Sequence, residues 1–257
     1  MSASEADPVA EGRKGRHVTP ADDDQQGAFG IVTAAVREVV VVVVMALVLS
    51  FVVKTWLLQA FFIPSGSMED TLLVGDRVIV SKLTPGPVDL NRGDVVVFQD
   101  PGGWLEIVPP VERAGITGAI HDGLVFVGLL PAESEDHLIK RVVGLPGDRV
   151  VCCSESRLLT VNGVEITEPY LKPADVPSSL TFDITVPAGH VWVMGDHRSD
   201  SEDSRFHDPS GTGKDGSVPI DDITGRAVAV VWPLGRAGWL SDHEETLAGV
   251  PDAVASP

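Results

Sequence analysis

Residues 61–76 read FFIPSGSMEDTLLVGD, and they follow almost directly on the run VVVVVVMALVLSFVV at residues 39–53. The junction decides the fold, because a long apolar segment stops here and a region of short strands separated by Gly, Pro and Asp begins. It also sets Ser67, a residue type able to act as a nucleophile, just outside the apolar segment. A Ser-Gly-Ser turn ordinarily satisfies its own backbone groups, and an isolated serine hydroxyl is a weak nucleophile until a neighbouring base activates it. The remainder of the chain has to supply that base.

Working back toward the amino terminus, residues 39–53 are apolar except for Ser50, and six valines in succession leave no polar face. Fifteen residues of helix span only about 22 Å, but extension to Leu58 reaches the roughly 20 residues that a hydrocarbon core demands. A buried core helix is the alternative, and six successive valines with no polar face disfavour it. A cleavable leader would carry small residues at its cleavage site, whereas Leu58-Gln59-Ala60 puts leucine at the −3 position. The segment is therefore expected to be a retained transmembrane anchor, residues 31–58. Arg13, Lys14, Arg16 and Arg37 precede the apolar run at 39–53 and only Lys54 and Arg77 follow it closely, which predicts a cytoplasmic amino terminus.

Residues 1–30 are expected to form a disordered cytoplasmic tail, since a polar segment poor in large apolar residues cannot offset the entropy of ordering. At 257 residues the chain leaves about 180 for folding, enough for one domain with a hydrophobic core. That domain is expected over residues 59–240, with a flexible tail at 241–257. The formal net charge of −18 argues against a nucleic-acid partner, because phosphate binding requires clustered cations. Cys152 and Cys153 are adjacent, which suits either a vicinal disulfide or, as the plainer reading, two half-buried strand residues.

Runs of β character recur at residues 77–81, 94–98, 137–143, 149–151, 158–161, 181–186, 190–194 and 227–232. Their spacing predicts an antiparallel β domain with barrel-like or sandwich-like packing. Asn162-Gly163 marks a type I′ hairpin. Residues 102–136 and 209–222 resist assignment and are expected to be surface excursions.

Two bases compete for Ser67. His197 lies next to Asp196, but neighbours on an extended strand face opposite ways, so Asp196 is poorly placed to orient it. Lys140 lies in LIKRVV, where alternation puts Leu138, Lys140 and Val142 on one face. Taken alone, Lys140-Arg141 reads as a solvated pair that protects a strand edge. If the Lys140 face is buried, desolvation can lower the lysine pKa enough to make it a base near neutrality.

The anchor, FFIPSGSMEDTLLVGDRVIV, NRGDVVVFQDP, LIKRVVGLPGDRV and MGDHRSDSEDSR, in that order, strongly resemble the bacterial type I signal peptidases, membrane-bound serine proteases that remove signal peptides from exported proteins. The resemblance covers most of residues 39–232 and rests on several unrelated blocks in the right order. It implies a mostly β catalytic domain behind a single N-terminal transmembrane helix, with Ser67 as nucleophile and Lys140 as general base. Ser65 and the Ser67 amide would form the oxyanion hole, and Ser201 would orient the lysine. Gly195, Asp196, Asp203 and Arg205 would give structural support. Phe61, Ile63, Pro64, Met68 and Ile139 would bound shallow pockets for small substrate residues. No metal and no organic cofactor is implied. The implied partners are signal peptides of exported preproteins, the lipid bilayer and the protein-export machinery.

The chain departs from the commonest family pattern at His197, where Asn is frequent, at Ser199-Asp200, where Asp-Asn is usual, and at Asp70, where Pro is often found. The short excursion at residues 102–136 resembles the compact form of Gram-positive and actinobacterial enzymes. A self-processing Ser/Lys protease of the LexA type is an alternative, against which the anchor argues. A noncatalytic membrane-tethered binding module is another, against which Ser67 and Lys140 argue.

Overall fold

The structure is a computed structural model that describes residues 23–105 and 136–253, so the first 22 residues of the expected tail and most of the expected excursion at 102–136 lie outside the described residues. The chain divides into two compact units between Leu47 and Val48. The helix α1, Asp23–Trp56, contains the one described segment long and apolar enough to cross a membrane, Val32–Val53, with a mean hydropathy of 2.6 and none of it buried. Its 22 residues rise about 33 Å as an α-helix, close to the thickness of a bilayer's hydrocarbon core. Valine is a poor helix former in water, but in lipid each backbone group must be satisfied within the segment, which enforces a helix.

Beyond α1 the chain is built of antiparallel strands. The larger sheet contains β1 (Leu58–Phe62), β2 (Arg77–Ser81), β3 (Val95–Gln99), β4 (His137–Gly144), β9 (His190–Met194), β10 (Val218–Pro219), β11 (Ile223–Trp232) and β12 (Gly238–Trp239). Its order is β1-β2-β11-β3-β4-β9-β10, with β12 added to β11. The smaller sheet runs β7-β6-β5-β8, from β5 (Arg149–Cys152), β6 (Leu159–Val161), β7 (Val164–Ile166) and β8 (Phe182–Thr185). The mostly β, antiparallel class is as expected. The barrel-like packing is not: β1 and the two-residue β10 end the larger sheet at opposite edges, and among the described residues nothing pairs them to close it.

The strand β4 occupies the interior of this sheet, paired with β3 through Val96↔Lys140 and Val95↔Arg141 and with β9 through Arg141↔Met194 and Val142↔Val193. Its last six residues are buried on both faces. Leu138 and Val142 pack with Val96 and Phe98, whereas Ile139 packs with Val95 and Val97 in a separate apolar cluster. Alternation thus assigns faces to β4 correctly, but neither face is open to water. Asn162 and Gly163 both have positive φ, 51° and 83°, in the two-residue turn joining β6 to β7, as a type I′ hairpin requires.

Within residues 241–253 of the expected flexible tail, α2 (Glu244–Leu247) buries Leu247, and Val250 joins it in the core beneath the smaller sheet. Apolar residues three apart can fall on one side of a helical turn, so two suffice to pin an otherwise polar segment. The carbonyl of Pro251 also accepts a hydrogen bond from Asn162 Nδ2 at 2.8 Å. Cys152 and Cys153 are joined as a vicinal disulfide rather than standing as two independent strand residues.

Candidate active site

Ser67 lies in the loop between β1 and β2. That loop is closed at its base, where Ile63 N–H donates to the Asp76 carbonyl and Gly75 N–H to the Ile63 carbonyl, each at 2.9 Å. Met68 and Leu72 are fully buried in the same cluster as Phe61, Ile63 and Ile139, so the turn is anchored by its apolar side chains. Met68 pulls the adjacent Ser67 down to 6% exposure, while Ser65 stays exposed. Lys140, at 4% exposure, arrives from β4 and sets its Nζ 2.6 Å from Ser67 Oγ.

Burial pushes the Lys140 ammonium down from its ordinary 10.5 to about 8; Asp203 opposes this, Arg205 reinforces it, and Asp196 and Asp200 oppose it more weakly. The cause is that a charged amine loses hydration and gains no committed counterion. The nearby acids are engaged elsewhere. Arg205 grips Asp203 with Nε and Nη2, both at 2.8 Å, and the same carboxylate accepts from Gly195 N–H at 2.9 Å and Ser201 Oγ at 2.8 Å. Burial alone would raise the Asp203 pKa, but its hydrogen bonds and charge attraction with Arg205 outweigh this and hold it below the usual carboxylate range. Asp196 is held by Arg141 through Nε at 2.8 Å and Nη2 at 2.6 Å, and by Thr71 Oγ1 at 2.5 Å. The Arg141 guanidinium also lies 4.1 Å from the centroid of the Tyr170 ring.

The structure therefore brings Ser65, Ser67, Lys140, Gly195, Ser201, Asp203 and Arg205 into one neighbourhood. Ser65 Oγ is 3.5 Å from Ser67 Oγ. Gly195 is required by close approach, since a Cβ there would collide with Ser201 Oγ and with the Ser67 carbonyl. Ser201 gives its proton to Asp203, which leaves its oxygen lone pairs as acceptors. Of the residues expected at substrate pockets, Phe61, Ile63, Met68 and Ile139 are core members behind the serine, and Pro64 is exposed. His197 is near, but its ring faces Gly66 and Lys172: Nδ1 is 3.1 Å from the Gly66 carbonyl and Nε2 is 3.3 Å from Lys172 Nζ.

Some supporting residues were not singled out in the sequence. Arg198 is buried and pairs with Glu168 through both terminal nitrogens; Tyr170 donates to the same carboxylate at 2.9 Å. Lys172 pairs with Glu69 at 2.5 Å. Only charged or hydroxyl residues within otherwise apolar or turn-rich runs could have flagged them. Among the described residues, no group of three or more His, Cys, Asp or Glu side chains is placed to hold a metal ion.

Comparison with known proteins shows the family. The family model described as signal peptidase, peptidase S26, matches residues 36–232. The chain is 36% identical over 230 residues to the probable signal peptidase I of Mycobacterium leprae strain TN, covering 80% of this chain and 79% of that protein. It is 37% identical over 223 residues to the signal peptidase I of Mycobacterium tuberculosis strain CDC 1551 / Oshkosh, covering 80% and 75%. The crystal structure of a signal peptidase I from Enterococcus faecalis V583 is 22% identical, with a TM-score of 0.33 and coverage of 54% of this chain and 97% of that one. The chain belongs to the signal peptidase family, peptidase S26.

Proposed function

We propose that this protein is a membrane-anchored serine endopeptidase that removes N-terminal signal peptides from exported preproteins after small residues, in the Ala-X-Ala manner. The observation that carries the reading is the buried 2.6 Å contact between Ser67 Oγ and a lysine whose pKa burial lowers to about 8. Family membership and the apolar helix support an anchored hydrolase. In this reading the amino terminus is cytoplasmic, residues 31–58 hold the enzyme in the membrane, and the β domain works outside.

Neutral Lys140 accepts the Ser67 hydroxyl proton as Oγ attacks the scissile carbonyl. Negative charge then develops on the substrate oxygen, where the Ser65 hydroxyl and Ser67 N–H are the donors. The protonated lysine returns its proton to the departing amine, the signal peptide remains as an acyl ester on Ser67, and Lys140 activates water to release it. Ser201, whose hydroxyl donates to Asp203, is the residue assigned to orient the Lys140 amine toward Ser67. Asp203 and Arg205 fix Ser201 and the loop, and Gly195 and Asp196 hold the turn against the nucleophile. Phe61, Ile63, Pro64, Met68 and Ile139 shape the pockets that reject large side chains. The substrate is delivered from the bilayer by the export machinery as an extended segment.

The test is cleavage of a precursor bearing an Ala-X-Ala site by the detergent-solubilised full chain. Ser67→Ala and Lys140→Ala are each expected to lower kcat by at least about 10³-fold. Cleavage at the wild-type rate by either variant would overturn the reading.

A further inference from the structure

We infer that His197 is a positioning residue that polarises the peptide group joining Gly66 to Ser67, and through it strengthens the Ser67 N–H as an oxyanion donor. This rests on the proposed role of that N–H. A protonated lysine only donates, so Lys172 Nζ, 3.3 Å from His197 Nε2, requires that nitrogen to be the acceptor. A neutral imidazole has one N–H, which must then lie on Nδ1, and Nδ1 is 3.1 Å from the Gly66 carbonyl oxygen. Lys172 is itself held by Glu69 at 2.5 Å. The other charged groups facing Nδ1, Glu69 Oε2 at 3.6 Å and Asp200 Oδ2 at 3.8 Å, are too far for a hydrogen bond.

The Gly66 carbonyl and the Ser67 N–H belong to one peptide unit. Resonance across that unit means that a donor on the oxygen draws density from the nitrogen and makes its N–H a better donor. His197 also secures the next peptide, because its own backbone N–H donates to the Ser67 carbonyl at 3.1 Å. One residue thus braces both peptide groups flanking the Ser67 Cα, and the chain Glu69–Lys172–His197–Gly66 ends on the N–H proposed to meet the developing charge. His197 touches neither Oγ nor substrate in this assignment, so it acts through the turn.

Kinetics on the solubilised full chain separate this role from a structural one. Asparagine carries an amide nitrogen one bond beyond Cγ, the position of His Nδ1, so His197→Asn should keep the donor and stay within about threefold of wild-type kcat. His197→Ala and His197→Phe lose the donor and should lower kcat about tenfold with KM changed less than about twofold, because only transition-state charge feels the loss. Nitrogen NMR of the His197 ring, independent of turnover, should show a protonated Nδ1. Should either donorless variant fail to fold, Lys172→Met at the half-exposed surface remains, and it should lose the Nδ1–H preference and lower kcat. The inference is overturned if His197→Asn is as impaired as the donorless variants, if KM rises at unchanged kcat, or if the ring carries its proton on Nε2. An active Ser67→Ala would instead overturn the proposed function itself, whereas an inactive Ser67→Ala beside a fully active His197→Ala overturns the relay alone.

Discussion

Lys140 and Arg141 are successive residues on β4, both buried, yet the molecule treats their charges in opposite ways. Arg141 receives a bidentate carboxylate from Asp196, a carbonyl from Gly93 at 2.7 Å and the face of Tyr170. Lys140 receives a serine hydroxyl, while the acid nearest to it in influence, Asp203, is occupied by Arg205. A buried cation with a full set of partners keeps its proton and fixes structure, whereas one whose counterions are committed elsewhere becomes ready to release it. The same strand therefore carries a fully paired cation and the proposed base side by side.

The largest effect is expected when position 140 is given the chemistry of position 141. Lys140→Arg preserves the charge but cannot release its proton, so kcat for precursor cleavage should fall by about 10³-fold or more. Retained turnover would mean that position 140 need not deprotonate. Next in size is the fully paired cation. Asp196→Asn leaves Arg141 buried without its counterion and should destabilise the fold by about 3–5 kcal/mol, read as a loss in denaturant midpoint with unchanged slope. A shift below about 1 kcal/mol would show that Arg141 is not held by its charge partner.

These two pairings differ in how far they could be read from the sequence. The strands β2 and β9 coincide with runs of β character at 77–81 and 190–194, since alternating branched residues bounded by turn formers leave few other options. The strand β1 was hidden, because residues 58–62 continue the apolar composition of α1 and only their pairing with β2, Leu58↔Ser81 onward, makes them a strand. Lys140 stood out as a cation in an apolar run and Ser67 as a residue of a matching block. The long-range pairings around them did not: Arg141 meets Asp196 across 55 positions, and Lys172 meets Glu69 across 103. Such pairings are products of sheet order, which local periodicity does not carry. Burial of β4 on both faces has the same origin, since Val142 and Ile139 enter separate apolar clusters only once the domain is assembled.

A smaller effect refines the base. Asp203 attracts the Lys140 ammonium and Arg205 opposes it. Asp203→Asn removes the attraction and leaves Arg205 in place, so the Lys140 pKa should fall further, by about one unit, and the pH–rate curve should move to lower pH. A shift to higher pH would mean that the pair acts on Lys140 by geometry rather than by charge.

If burial makes Lys140 a neutral base, the pH dependence of kcat/KM must carry that lysine's signature. A group with a lowered pKa is protonated, and here inactive, below that pKa, so activity must rise with pH. The predicted limb has its midpoint near pH 8, with a fall of about tenfold for each pH unit below it and a plateau above. A limb centred near the ordinary histidine pKa of about 6.5, or activity level through the neutral range, would contradict the account.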